Sequence, residues 1–250
     1  MSKLNINSDK YILIFSVIMT VVMGALLSVV ALSLSATQKA EKDFEQQKYI
    51  LSSVLGSNVV TGMTKEEIVA KYNAQVSDLV IDEKGTLLPL KAKEVAVSKE
   101  YKKLNQDGSL KTGESMKLPV YMFKDESGKI VSYILPTFGF GLWDNIWGFI
   151  AVEADLNTVR GVVYDHKGET PGLGARITED KVRARYVGKK IFDENQKAIL
   201  AMQKGEGKDY AKENFKVDGM SGATLTANGL NSMIQRYFNI YQVYFKSLKS

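Results

Sequence analysis

Residues 218–248 read DGMSGATLTANGLNSMIQRYFNIYQVYFKSL. The opening is a run of small and hydroxyl residues. The remainder sets Leu230, Ile234, Tyr237, Phe238, Tyr241, Tyr244 and Phe245 three and four positions apart. That spacing gathers apolar side chains on one face, so residues 225–248 are read as a long C-terminal helix packed against a sheet. The unpaired N–H groups of a helix start make an anion site, and a phosphate belongs there on physical grounds. The plainer reading of the same residues makes Ser221, Thr224 or Thr226 the N-cap.

The sheet is written upstream. Residues 76–82, 119–124 and 129–135 have strand character, the last two joined by the turn Asp125-Glu126-Ser127-Gly128. Residues 148–154 and 158–165 form another pair around Asp155-Leu156-Asn157. A capping box, Thr64-Lys65-Glu66-Glu67, opens a short helix, and residues 179–187 read as another. Strands and helices do not alternate as βαβ units, so the class is α+β with a mainly antiparallel sheet.

At the other end, 28 residues between Lys10 and Lys39 carry no charged side chain. At ~1.5 Å per residue they reach about 42 Å, more than the ~30 Å core of a bilayer. This run is about twice the length of a signal-peptide core and continues unbroken into helix-favouring sequence, which reads as an uncleaved anchor. The organisation is a tail over 1–10, a transmembrane helix over 11–38, a membrane-proximal helical and extended region over 39–115, and a domain over 116–250. Lys3 and Lys10 balance Lys39 and Lys42, so charge does not orient the anchor; a ten-residue tail favours a cytoplasmic N-terminus with the domain translocated.

Among 250 residues there is no cysteine and one histidine, which removes thiolate iron–sulfur ligation, cysteine zinc sites, disulfides and a cysteine nucleophile. No metal ligand set and no acid–base catalytic pair is legible. The net charge of +5 is spread through mixed Lys, Glu and Asp stretches, a solvated surface and not a nucleic-acid face. The anchor holds no Asp, Glu, Lys, Arg or His between Lys10 and Lys39, so an ion path through it is not expected.

Three glycine-rich loops hold the chemistry: Gly139-Phe-Gly-Leu-Trp-Asp144, His166-Lys-Gly-Glu-Thr-Pro-Gly-Leu-Gly174 and Asp218-Gly-Met-Ser-Gly-Ala-Thr-Leu-Thr226. Glycine permits close backbone approach, and Leu142, Trp143 and Leu173 offer an apolar wall to a planar ring. Singly, each reads as a tight turn whose apolar residues belong to the core. Together they point to a ligand.

Asp218-x-x-Ser-Gly-Ala-Thr224 resembles the flavinylation signature of the FMN-binding domain family, and Glu169-Thr-Pro-Gly-Leu-Gly174 resembles its second motif. The resemblance covers roughly residues 115–250. With one N-terminal anchor, the whole chain resembles the C subunits of sodium-pumping NADH:quinone oxidoreductases more than the G subunits of Rnf-type complexes. The resemblance implies FMN esterified through its phosphate to Thr224 by a separate flavin transferase. It implies that Ser221, Gly222, Ala223, Leu225 and Thr226 surround the phosphate, and that Glu169, Thr170, Leu173 and Gly174 border the ring with Leu142 and Trp143 on another side. Asp218 is implied as a transferase requirement; an Asp-Gly turn is its plain alternative. The implied role is electron transfer without a catalytic residue in this chain, in a bacterial inner-membrane complex whose partners are other subunits and lipid.

Other functions fit less well. Gly219-Met-Ser-Gly-Ala223 approaches a nucleophile elbow, but His166 precedes the serine. Lys111-Thr-Gly113 lacks an S-x-x-K partner, and Gly139-x-Gly141 and Gly172-x-Gly174 lack a third glycine and a βαβ setting. A cofactor-free, membrane-tethered assembly module stays open.

Overall fold

The computed structural model describes residues 8–249. Residues up to Gln46 form one compact unit and Gln47 onward the other. The 1–10 tail lies outside the described residues apart from its last three.

The anchor run sits in α1 (Asp9–Leu55), a helix long and apolar enough to cross a membrane. The same helix continues into the first residues of the 39–115 region and ends at Leu55. After α2 (Ser57–Thr61), the capping box forms as written at the start of α3 (Lys65–Gln75). The Thr64 hydroxyl accepts the Glu67 N–H at 3.2 Å, and the Glu67 carboxylate accepts the Thr64 N–H at 2.8 Å.

The chain then enters β1 (Val76–Ile81) and β2 (Leu87–Leu88), passes through α4 (Val97–Tyr101), and builds β3 (Leu118–Lys124), β4 (Ile130–Phe140), β5 (Asn145–Glu153) and β6 (Val159–His166). These strands form a six-stranded antiparallel sheet in the order β2-β1-β3-β4-β5-β6. Strand β1 pairs with β3 from Val76↔Phe123 to Ile81↔Leu118, so part of the 39–115 region belongs to the same sheet as the residues after 115.

Residues 179–187 do not make one helix. They split into α5 (Asp180–Arg183) and a 3-10 turn over Ala184–Tyr186. The Arg183 guanidinium donates to Tyr164 O at 2.5 Å, and the buried Tyr186 ring meets Tyr164 edge-on at 5.5 Å. These tertiary contacts override local helix propensity. Two short strands, β7 (Ala201–Met202) and β8 (Lys216–Val217), pair in parallel before α6 (Thr224–Ser247).

Helix α6 buries all seven apolar residues of its spaced face. They join Val120, Leu135, Ile150 and Val162 from four neighbouring strands in one core. Because side chains alternate along a strand, Ile150 faces this core while its neighbour Phe149 meets Tyr49 and Tyr121 at 6.5 and 6.3 Å. The Tyr241 hydroxyl reaches the carbonyls of Pro119 and Pro136 at 2.9 and 3.3 Å, fastening the helix to β3 and β4.

Candidate functional site

Each glycine-rich loop leaves the end of a strand, and side chains tie the three together. Strand β4 runs to Phe140, paired with Asn145, so the first loop narrows to Gly141–Asp144 with Gly141 N–H bonded to Asp144 O at 2.9 Å. Leu142 and Trp143 stand exposed at its tip, Trp143 at 65%. Behind it, α6 approaches so closely at Gly229 that a Cβ would run into Phe140 O and lie 3.0 Å from Gly141 Cα. Glycine is required there by space.

Glu169 in the second loop is buried. Its Oε1 accepts the N–H groups of Leu142 and Trp143, both at 2.9 Å, and its Oε2 accepts the Thr226 hydroxyl at 2.6 Å. Burial pushes this carboxyl up, but the hydrogen bonds from Thr226, Trp143 and Leu142 prevail and hold it below its ordinary range. His166 Nδ1 accepts the Glu169 N–H at 3.2 Å, which helps to position the loop. Thr170 O accepts from Leu173 and Ala175 N–H, both at 3.1 Å, closing the turn. Leu173 lies over Gly222, whose Cβ would come within 2.8 Å of it; the φ of Gly222, +75°, also favours glycine.

The third loop enters α6 through Ala223, the N-cap, with no side chain capping the helix. The capping role offered to Ser221, Thr224 or Thr226 is therefore not taken up. The Ser221 N–H donates to Glu206 at 3.0 Å, the Thr226 hydroxyl is engaged by Glu169, and Thr224 is half-buried at the first helical position. Leu225 is exposed beside it. An uncapped helix start next to a threonine hydroxyl, flanked by exposed Leu142, Trp143, Leu173 and Leu225, fits a phosphate with a planar apolar group attached.

Asp218 holds the loop's entrance. Its carboxylate accepts the N–H groups of Gly207 and Lys208, both at 3.0 Å, and lies 3.6 Å from the Arg185 guanidinium. Sequence reading missed the residues beside it. Glu206 receives Arg176 at 2.6 and 2.9 Å and Arg185 at 2.8 Å, while Arg185 also donates to Gly219 O. Nothing in the spacing of 176, 185 and 206 signals this knot; β7 and β8 bring it together. Asn231 on α6 supports those strands by accepting Met202 N–H at 2.7 Å and donating to Met202 O at 2.8 Å.

Hydrogen bonds from Arg176, then Arg185 and the Ser221 N–H, hold the Glu206 carboxyl well below the usual carboxylate range. A depressed folded-state value contributes stability that is present above the unfolded value, near pH 4.3, and is lost as pH falls through the folded value. Glu206→Gln is expected to cost about 1–3 kcal/mol at pH 7. The difference from wild type should shrink below about pH 4 as the unfolded-state glutamate takes its proton. Thermal melts from pH 7 to 3 check this, and a deficit constant across that range would refute it.

Known proteins share this chain's domain and fold. The FMN-binding domain family matches residues 141–239, which span all three loops. The C subunit of the Na(+)-translocating NADH-quinone reductase of Haemophilus ducreyi is 32% identical over 244 residues, covering 95% of this chain and 93% of that protein. The crystal structure of the corresponding C subunit from Parabacteroides distasonis superimposes with a TM-score of 0.69 at 32% identity, covering 87% of this chain and 98% of that one. The Shewanella oneidensis NqrC structure gives a TM-score of 0.71 at 30% identity, over 84% and 99%. With the fold and nearly the full length in agreement, the chain belongs to the NqrC family, the C subunits of the Na+-translocating NADH-quinone reductases.

Proposed function

We propose that this chain carries FMN, esterified through its phosphate to Thr224, and relays electrons within an inner-membrane NADH:quinone oxidoreductase that couples electron transfer to sodium export. The observation that carries the reading is the start of α6. Thr224 stands there at a helix N-terminus without a side-chain cap, and side-chain contacts draw the other two loops to it. FMN supplies one-electron transfer when bound. The chain's own work is to hold the phosphate on the first-turn N–H groups of α6 and to flank the ring with Leu142, Trp143 and Leu173.

Under this reading α1 is a single-pass anchor with a cytoplasmic N-terminus, and the domain faces the extracytoplasmic side among the other subunits. A flavin transferase matures it there, with Asp218 as part of the recognised sequence. Leu142, Trp143, Leu173 and Leu225 stay partly exposed, in keeping with a ring edge open to electron donors and acceptors.

The test is co-expression of the full chain with a flavin transferase, followed by denaturing electrophoresis and intact-mass measurement. Flavin fluorescence travelling with the polypeptide, and a mass increase of one FMN ester, are expected. A mature chain without bound flavin would favour the cofactor-free assembly module instead.

A further inference from the structure

A phosphoester at Thr224 fixes one end of FMN and leaves the ring free to swing on a flexible ribityl chain. Something must hold the ring's wall at a set distance from the anchor. The wall, Leu142 and Trp143, sits at the tip of the β4–β5 hairpin; the anchor is the first turn of α6. One side chain bonds to both.

Glu169 is 4% exposed, and both its oxygens are engaged by these two elements. Two glycines make room for the carboxylate. A Cβ at Gly174 would fall onto Glu169 Oε2 and Thr226 Oγ1, and one at Gly141 would lie 2.5 Å from Glu169 Oε1. Neither glycine has a left-handed backbone, so space around the carboxylate, and not φ, is what excludes a side chain at these positions. Thr226 lies two residues after Thr224, so its bond to Glu169 fixes the rotation of the anchoring turn. We propose that Glu169 is a positioning residue for the flavin: it locks the Leu142–Trp143 wall to the anchoring turn of α6 through hydrogen bonds, without itself contacting the ring. The role follows from the ability to accept and bridge, and not from the charge alone. Glutamine could keep the bridge, its carbonyl accepting the two N–H groups and its amide donating to the Thr226 oxygen.

The inference rests on the FMN reading, and the experiment separates the two. Full-length wild type, Gly174→Ala, Thr226→Val and Glu169→Gln are matured with a flavin transferase, and visible circular dichroism and fluorescence anisotropy are recorded per covalently bound flavin. Gly174→Ala drives a methyl group between carboxylate and hydroxyl, and is expected to lose more than half of the visible dichroism and to lower the anisotropy. Thr226→Val, which cuts one arm of the bridge with little change of shape, is expected to fall between Gly174→Ala and wild type. Glu169→Gln is expected to retain most of the wild-type signal. Wild-type dichroism and anisotropy in a folded, flavinylated Gly174→Ala protein would overturn the proposal. If Gly174→Ala loses its far-ultraviolet dichroism, Thr226→Val decides, and an unchanged flavin signal there overturns it. A Glu169→Gln protein as disturbed as Gly174→Ala would overturn the bridging role in favour of charge. Absence of flavin from the wild type would overturn the FMN reading, and this inference with it.

Discussion

Thr224→Ala is expected to lose all polypeptide-bound flavin fluorescence while keeping its fold. The substitution removes the one hydroxyl at the first position of α6 and leaves the helix start otherwise as it is, since Ala223 is the N-cap and no side-chain cap is lost. Alanine is the best helix former, and a half-buried site outside the core changes stability by only about 0.5 kcal/mol either way. Thr224→Ser retains a hydroxyl and is expected to retain part of the fluorescence. Thr226→Ala serves as the contrast: its hydroxyl is buried against Glu169, so flavin should still attach. In-gel fluorescence of the three variants beside wild type reads the result. Undiminished fluorescence in Thr224→Ala would move the attachment to another hydroxyl, with Ser221 the first to examine.

The second large effect concerns the buried face of α6. Phe238→Ala is expected to cost about 3–5 kcal/mol, because the ring is fully buried and the surrounding side chains relax only partly into the space left. Phe192 and Tyr241 pack against it at 6.0 and 6.4 Å, mostly edge-on, and lose those contacts together. For a folded unit of this size about 1 kcal/mol moves the melting temperature by 2–4 °C, so a fall of roughly 6–20 °C is expected. Val243→Ala on the exposed side of the same helix should stay within about 0.5 kcal/mol of wild type. Equal melting temperatures for Phe238→Ala and wild type would show that α6 does not organise the core.

What was legible in the sequence had a local cause. The three-and-four spacing from Leu230 to Phe245 reports burial on one helix face, and all seven residues are buried. The Thr64–Glu67 box is a contact between near neighbours and forms as written. The Asp125–Gly128 turn joins β3 to β4 as its residues require, Gly128 at φ +84°. The three loops are legible because glycine marks close approach even when the neighbour is unknown. What stayed hidden depends on partners far along the chain. Strand β4 continues through Pro136 and Gly139 because β5 pairs with it there, not because those residues favour strand. Residues 179–187 break because Tyr186 and Arg183 are claimed by Tyr164. The Arg176–Arg185–Glu206 knot exists only once β7 and β8 meet. The motif alone sets Glu169 beside a ring, and only the folded chain reveals that its oxygens are held by Leu142, Trp143 and Thr226.

Helix α6 is continuous from Thr224 to Ser247, and Tyr241 fastens it to two central strands. An ordinary ligand loop opens by local fluctuation at little cost, well below that of global unfolding. Under the proposed reading the attachment point, Thr224, is the first residue of a helix with a buried face, and its first turn is tied down through Thr226 and Ala227, both buried. The site therefore has no hinge of its own. Flavin geometry and the hydrophobic core should disappear in one cooperative transition, so a mature chain whose flavin signal is native is a chain whose whole domain is folded.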